Sequence, residues 1–262
     1  MSRMLMTLTL ILASFMVQGC NKSMDYEPQD FFVGEQLEIA RLIYENNEAK
    51  LKSVLPSISK EALNRPAKAE MTLLFWAVLN SIYDRGSKQR LLIITDLVKA
   101  GADPLQPREA GQSSPAEYVL KADSGIWIKA LLDGGLSPNA KDKVFDEPVI
   151  FESIKAKNTE TLQTMLESGA NINIRNSLGD TLLIDALDSR SFDHVIFLLE
   201  NGANSELRGN SGWSMGNQLQ RFITMNTGDS EDKLKIEKIK EILVKKGEWP
   251  PTPVTAPSTM GK

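Results

Sequence analysis

A single spacing constrains this chain more than any other feature. The strings Val98-Lys99-Ala100-Gly101-Ala102-Asp103, Leu132-Asp133-Gly134-Gly135-Leu136-Ser137, Leu166-Glu167-Ser168-Gly169-Ala170-Asn171 and Leu199-Glu200-Asn201-Gly202-Ala203-Asn204 place their aligned glycines 34, 34 and 33 residues apart. Self-similarity at such a period marks stacked repeats. The chemistry of one unit follows from its residues. An apolar-periodic helix closes on a glycine, which takes the left-handed conformation at little cost. A short extended segment such as Asn171-Ile172-Asn173-Ile174 comes next, then a turn. The following helix is started by Gly179-Asp180-Thr181-Leu182-Leu183 or Ser114-Pro115-Ala116, where Thr or Ser caps and Pro115 occupies an early helical position. No such unit buries its apolar face alone, so neighbours must stack.

Read along the chain, the pattern predicts an all-α solenoid of about six helix-turn-helix repeats with short hairpin fingers, over residues 34–249. Residues 37–55 form a terminal helix pair around Asn46-Asn47. Further repeats cover 72–103, 114–138, 148–171, 181–204 and 214–247. The 72–103 repeat has about eight residues in excess, expected between its helices at 82–89, and the last has about twelve, expected around 226–230. The final helix, 231–246, is strongly charged on one side, as a terminal unit needs to be.

The run Gly179-Asp180-Thr181-Leu182-Leu183-Ile184-Asp185-Ala186, continuing to Leu198-Leu199-Glu200-Asn201-Gly202-Ala203-Asn204, resembles the ankyrin repeat. The family pattern is Thr-Pro-Leu-His-x-Ala. Thr181, Leu183 and Ala186 keep it, while Leu182 replaces Pro and Ile184 replaces His, the residue that usually links neighbouring repeats. Thr72-Leu73-Leu74-Phe75-Trp76-Ala77 opens an earlier repeat in the same way. The resemblance implies a binding surface made of the fingers and the first-helix face.

The first residues read as an address. Arg3 precedes an uncharged stretch at 4–17, which is short of the roughly 20 residues needed to span a bilayer and fits a secretory segment. Val17-Gln18-Gly19-Cys20 resembles the bacterial lipobox, with Gln18 larger than the usual occupant. The resemblance implies a signal peptide at 1–19 and lipidation of Cys20, with residues 20–33 as a polar tether. Asn21 follows the lipidated position and points, by the enterobacterial sorting rule, to the outer membrane. The processed chain, 20–262, would carry 29 basic and 34 acidic residues. Residues 250–262, with Pro250, Pro251, Pro253 and Pro257, read as a disordered tail.

Composition narrows the chemistry. One Cys and one His leave no intramolecular disulfide, no Cys-rich metal site and no site with two imidazoles. The net charge of -4 argues against a nucleic-acid partner. His194 reads as a helix-face residue. Gly212-Trp213-Ser214-Met215-Gly216 fits the nucleophile-elbow pattern, but falls where a repeat has its turn and cap. Asp229, Glu231 and Asp232 suit a helix N-terminus, and Asp188 and Asp193 read as solvated. No catalytic residue, metal site, cofactor or small-molecule substrate is expected.

Binding residues are sought among side chains that helix packing does not absorb. Phe75, Trp76, Trp127, Phe151 and Phe197 read as core. Phe145 and Trp213 fall in fingers and Tyr83 in the first excess segment. With Arg85, Glu147, Leu178, Asp180 and Arg208 they form the expected partner-binding set, since exposed aromatics in such places are hot-spot candidates. Lipobox plus array resembles the periplasmic lipoprotein immunity proteins of type VI secretion phospholipase effectors, which implies a lipase toxin as partner. A scaffolding lipoprotein for a resident envelope protein is the alternative.

Overall fold

The computed structural model describes residues 26–108, 113–225 and 228–254. The expected signal peptide, Cys20 and Asn21 lie outside the described residues, as do 226–227 and 255–262. The described residues contain twelve α-helices, four short 3₁₀ segments and no strand. They fall into two compact units. The first holds the residues up to Pro115 with Asp133–Gly135; the second holds Ala116–Leu132 and everything from Leu136.

In the first unit, α1 (Gly34–Tyr44) and α2 (Glu48–Val54) form the pair expected around Asn46-Asn47. Asn46 takes a positive φ of 56°, and the Asn47 side chain caps α2 by accepting from the Lys50 amide. After a short α3 (Lys60–Asn64) come α4 (Leu73–Tyr83), capped by Thr72, and α5 (Lys88–Ala100), closed by Gly101 at φ 107°. Every residue from Leu73 to Ser81 is buried, so α4 has packing on all sides. The Asn64 Oδ1 accepts from the Asp103 amide at 2.7 Å, tying two loops together.

Two expectations change here. The excess of the 72–103 repeat is not an inserted loop: α4 and α5 are 11 and 13 residues long, against 7 and 9 in the best-matching repeat. The extra residues, Asn80–Tyr83 and Lys88–Arg90, are mostly polar and are held by hydrogen bonds: Asn80 donates to the Trp76 carbonyl at 2.9 Å and Arg90 to the Tyr44 carbonyl at 2.9 Å. The tether also ends earlier than 33. Phe31 and Phe32 are buried and ring-pack on Trp76 at 5.7 and 6.0 Å. Two adjacent phenylalanines in a polar stretch gain more by joining the core than by staying in water.

In the second unit, α6 (Pro115–Leu120, from Ala116 on) and α7 (Ile126–Gly134, as far as Leu132) are followed by a 3₁₀ segment, Val149–Lys155, and by α8 (Glu160–Glu167). A first helix was expected at 148. Pro148 stands where Thr72, Thr181 and Ser214 cap the equivalent helices through side-chain oxygens, and it supplies no such bond. Without a cap, and with β-branched Val149 and Ile150 opening the segment, the tighter helix forms. The best-matching repeat is regular: α9 (Leu182–Asp188) and α10 (Phe192–Glu200). The last repeat pairs α11 (Met215–Thr224) with α12 (Ser230–Lys246), so its excess also lengthens helices, to 10 and 17 residues. Gly135, Gly169 and Gly202 all have positive φ, as the spacing predicts.

Side chains tie successive repeats to each other in this unit. Asn139 Oδ1 accepts from the Asn171 amide at 2.8 Å, and Asn173 Oδ1 from the Asn204 amide at 2.9 Å. The Thr161 hydroxyl donates to the Leu120 carbonyl at 2.9 Å. Of the expected core aromatics, Phe75 and Trp76 are fully buried, but Trp127, Phe151 and Phe197 are only half-buried. Phe197 shares a helix stripe with exposed Asp193 and Glu200, which gives the physical reason.

Candidate protein-binding surface

Three fingers in the second unit are closed by isolated bridges, Lys141 with Pro148, Arg175 with Thr181 and Arg208 with Ser214. Each has its own polar scaffold. In the first finger, the Asp142 carboxylate accepts from the amides of Val144 (2.8 Å), Phe145 (2.6 Å) and Glu147 (2.8 Å). Burial works to raise the pKa of Asp142, but these amide bonds outweigh it and leave the group below its usual range. In the second finger, Asn176 Oδ1 accepts from the Asp180 amide at 2.9 Å, and Gly179 turns the chain at φ 76°. In the third, Arg208 donates to the Gly212 carbonyl at 2.6 Å.

The fingers are also joined. Both Glu147 carboxylate oxygens accept from the Ser177 amide, at 3.1 and 3.0 Å. Arg175 donates to the Arg208 carbonyl at 2.7 Å, and the Asn210 amide to the Leu178 carbonyl at 3.3 Å. Backbone geometry therefore fixes the tips, and the tips carry apolar groups that the fold leaves in water. Phe145 is 76% exposed, Leu178 67%, Val144 61% and Trp213 37%. Of the expected binding residues, Phe145 and Leu178 stand free at finger tips. Trp213 is more covered. Glu147 and Arg208 hold fingers in place while keeping part of their surface accessible. Tyr83 and Arg85 lie in the first unit, at the end of α4; Tyr83 is half-buried, and Arg85 is exposed with φ 53°. Val144 was missed by sequence reading, because a valine in a loop carries no signal apart from its aromatic neighbour.

Beside the second finger the first-helix face is acidic. Burial pushes the Asp185 carboxyl up to about 6, helped by the charges of Asp188, Asp180 and Glu147 and opposed by Lys155. Asp188 accepts a hydrogen bond from Gln218, so it is held rather than simply solvated. Asp193, as expected, reaches outward, where Lys235 pairs with it at 2.8 Å.

The remaining candidates take structural places. His194 is 3% exposed, on the inner side of α10. Burial lowers its pKa, against the backbone of Asn158 and Ser153, which favours the charged form. Ser214 is a buried cap whose oxygen accepts from the Asn217 amide at 3.4 Å, within a capping box. The nucleophile-elbow pattern is therefore a helix start. No group of three or more metal-ligating side chains occurs among the described residues.

Residues 121–208 match the family model for ankyrin repeats, in three copies. The fold resembles the ankyrin repeat domain of Bcl-3, a member of the IkappaB family, with a TM-score of 0.52 at 20% identity, over 79% of this chain and 97% of that one. It also resembles an ankyrin repeat domain from Acinetobacter baumannii AYE, with a TM-score of 0.53 at 19% identity, over 80% of this chain and 98% of that one. No curated protein matches the sequence.

Proposed function

We propose, for a chain with the ankyrin-repeat fold, that it is a membrane-anchored periplasmic binding module that captures and inhibits a type VI secretion phospholipase effector. Ankyrin repeats are protein-binding modules, and this much the fold itself supports. The finer reading rests on two supports. One is the sequence Val17-Gln18-Gly19-Cys20, which resembles a lipobox. The observation that carries the binding site is the set of exposed apolar finger tips Val144, Phe145 and Leu178, held by Asp142, Glu147 and Asn176. Rigid apolar tips lose little entropy on docking, which favours affinity. The Asp180, Asp185 and Asp188 face suits a basic region on the partner. A lipase must reach both lipid and catalytic cleft, and an inhibitor tethered at the membrane meets it at high local concentration.

The test is co-purification with the product of the adjacent gene, combined with a lipase assay. Inhibition by a stoichiometric amount of this protein is expected, with Phe145→Ala and Leu178→Ala each weakening binding by at least about tenfold. Cys20→Ser is expected to move the protein from the membrane to the soluble fraction. A neighbouring product without lipase activity, or one untouched by a molar excess, overturns the reading. Capture of a resident envelope protein from a strain without a secretion system favours scaffolding instead.

A further inference from the structure

The segment after the last helix behaves unlike a tail. Beyond α12 the chain turns at Gly247, Lys240 lies over the Trp249 ring at 5.9 Å, and residues 250–254 run back along the third finger. The Thr252 carbonyl accepts from Asn217 Nδ2 at 2.9 Å and from Arg208 Nη2 at 3.2 Å. Pro251 packs on Gly216, and the Val254 side chain faces Gly212.

These contacts repeat a pattern made one finger earlier. Arg175 and Arg208 are 33 residues apart and hold equivalent places. Arg175 donates to the Gly179 carbonyl of its own finger and to the Arg208 carbonyl of the next. Arg208 donates to the Gly212 carbonyl of its own finger, and its outward bond goes to Thr252. Gly179 faces the Asn210 side chain of the next finger, and Gly212 faces Val254. Position 216 completes the picture. The residues equivalent to it in the repeats that open at Thr72 and Thr181 are Leu74 and Leu183, both buried. Here the residue is glycine, and a Cβ on it would come within 2.9 Å of the Pro251 Cβ. Glycine near the start of a helix weakens that helix, and at this position it is what lets the returning chain lie flat.

We propose that residues 249–254 are a surrogate finger, which closes the open edge of the last repeat by supplying the backbone acceptor and the side-chain cover that the third finger supplies to the second, with Val254 in the place of Asn210. An uncovered edge would leave the Arg208 guanidinium without its outward acceptor and the third finger covered only on the side of the second. The strap depends on contacts within the second unit alone, so it stands apart from any reading of the partner.

The experiment compares the chain ended after Val254 with the chain ended after Glu248, by hydrogen exchange and thermal unfolding. The Gly209 amide, which donates to the Trp213 carbonyl at 3.0 Å, reports on the third finger. Ending after Val254 is expected to leave its protection and Tm at the full-length values. Ending after Glu248 is expected to speed its exchange at least about tenfold and to lower Tm by about 2–4 °C. Equal protection in the two truncated chains overturns the proposal. Gly216→Ala gives a second reading in which the backbone is intact. In the chain ended after Glu248 it should raise Tm through helix propensity; in the full chain it should lower Tm by displacing Pro251. An equal rise in both chains overturns the strap.

Discussion

The segment before the first helix and the segment after the last are both folded back onto the repeats, and they do so by opposite chemistry. Phe31 and Phe32 insert rings beside Trp76, whose indole N–H finds the Ala40 carbonyl at 3.1 Å. Residues 250–254 offer mainly a carbonyl and proline rings, received by Arg208, Asn217 and Gly216. The first device is driven by apolar area and is non-directional; the second depends on hydrogen bonds whose net value is small, about 0.5–1.5 kcal/mol each. The comparison teaches that a repeat stack can be finished by a core or by an edge, with very different margins.

Trp76→Ala and Phe32→Ala attack the apolar end and should each cost about 3–5 kcal/mol, read by chemical denaturation. A loss under 1 kcal/mol would remove the contrast between the two ends. Asn217→Ala attacks the other end, removing both the capping box and a strap bond, and should cost about 1–2 kcal/mol. Thr181→Ala, a cap that belongs to neither segment, sets the scale at about 1 kcal/mol. Phe145→Ala and Leu178→Ala should change stability by less than about 0.5 kcal/mol, which separates finger tips that serve binding from residues that close the stack.

Acid distinguishes half-buried Asp185 from buried His194 in the second unit. The Asp185 carboxyl is raised to about 6 in the folded state, so the folded chain takes up a proton more readily than the unfolded one. Its contribution to stability is present below about pH 4 and is lost as pH rises through about 6. His194 has the opposite sign: its pKa is lowered by burial, so its contribution is lost as pH falls below about 6.5. Asp185→Asn should therefore raise stability at pH 7 and make the chain lose more stability between pH 6 and 4 than the parent does. A pH profile identical to the parent's would show that Asp185 is better solvated than its surroundings suggest.

Much of the repeat architecture was legible because its signals are local. Glycines at 101, 135, 169 and 202 need a left-handed backbone, and Thr72, Thr181 and Ser214 need only the next turn of chain to cap it. The candidate site was legible in part: Phe145 and Leu178 stood out as apolar residues in turns, but whether Trp213 was covered depended on the surroundings of the third finger. The missing first helix at 149–155 was readable in principle, since Pro148 occupies a cap position and has no side-chain oxygen to accept from the first-turn amides.

What the sequence determined by itself is the period, the helix starts and stops, and the scarcity of catalytic side chains, all of which depend on residues close together in the chain. The tertiary structure alone decided where the excess residues went, that His194 is buried, and that Phe31, Phe32 and residues 250–254 belong to the fold. Those outcomes turn on contacts between residues such as Arg208 and Thr252, 44 positions apart. No local propensity encodes them, because the favourable free energy exists only once both partners are in place.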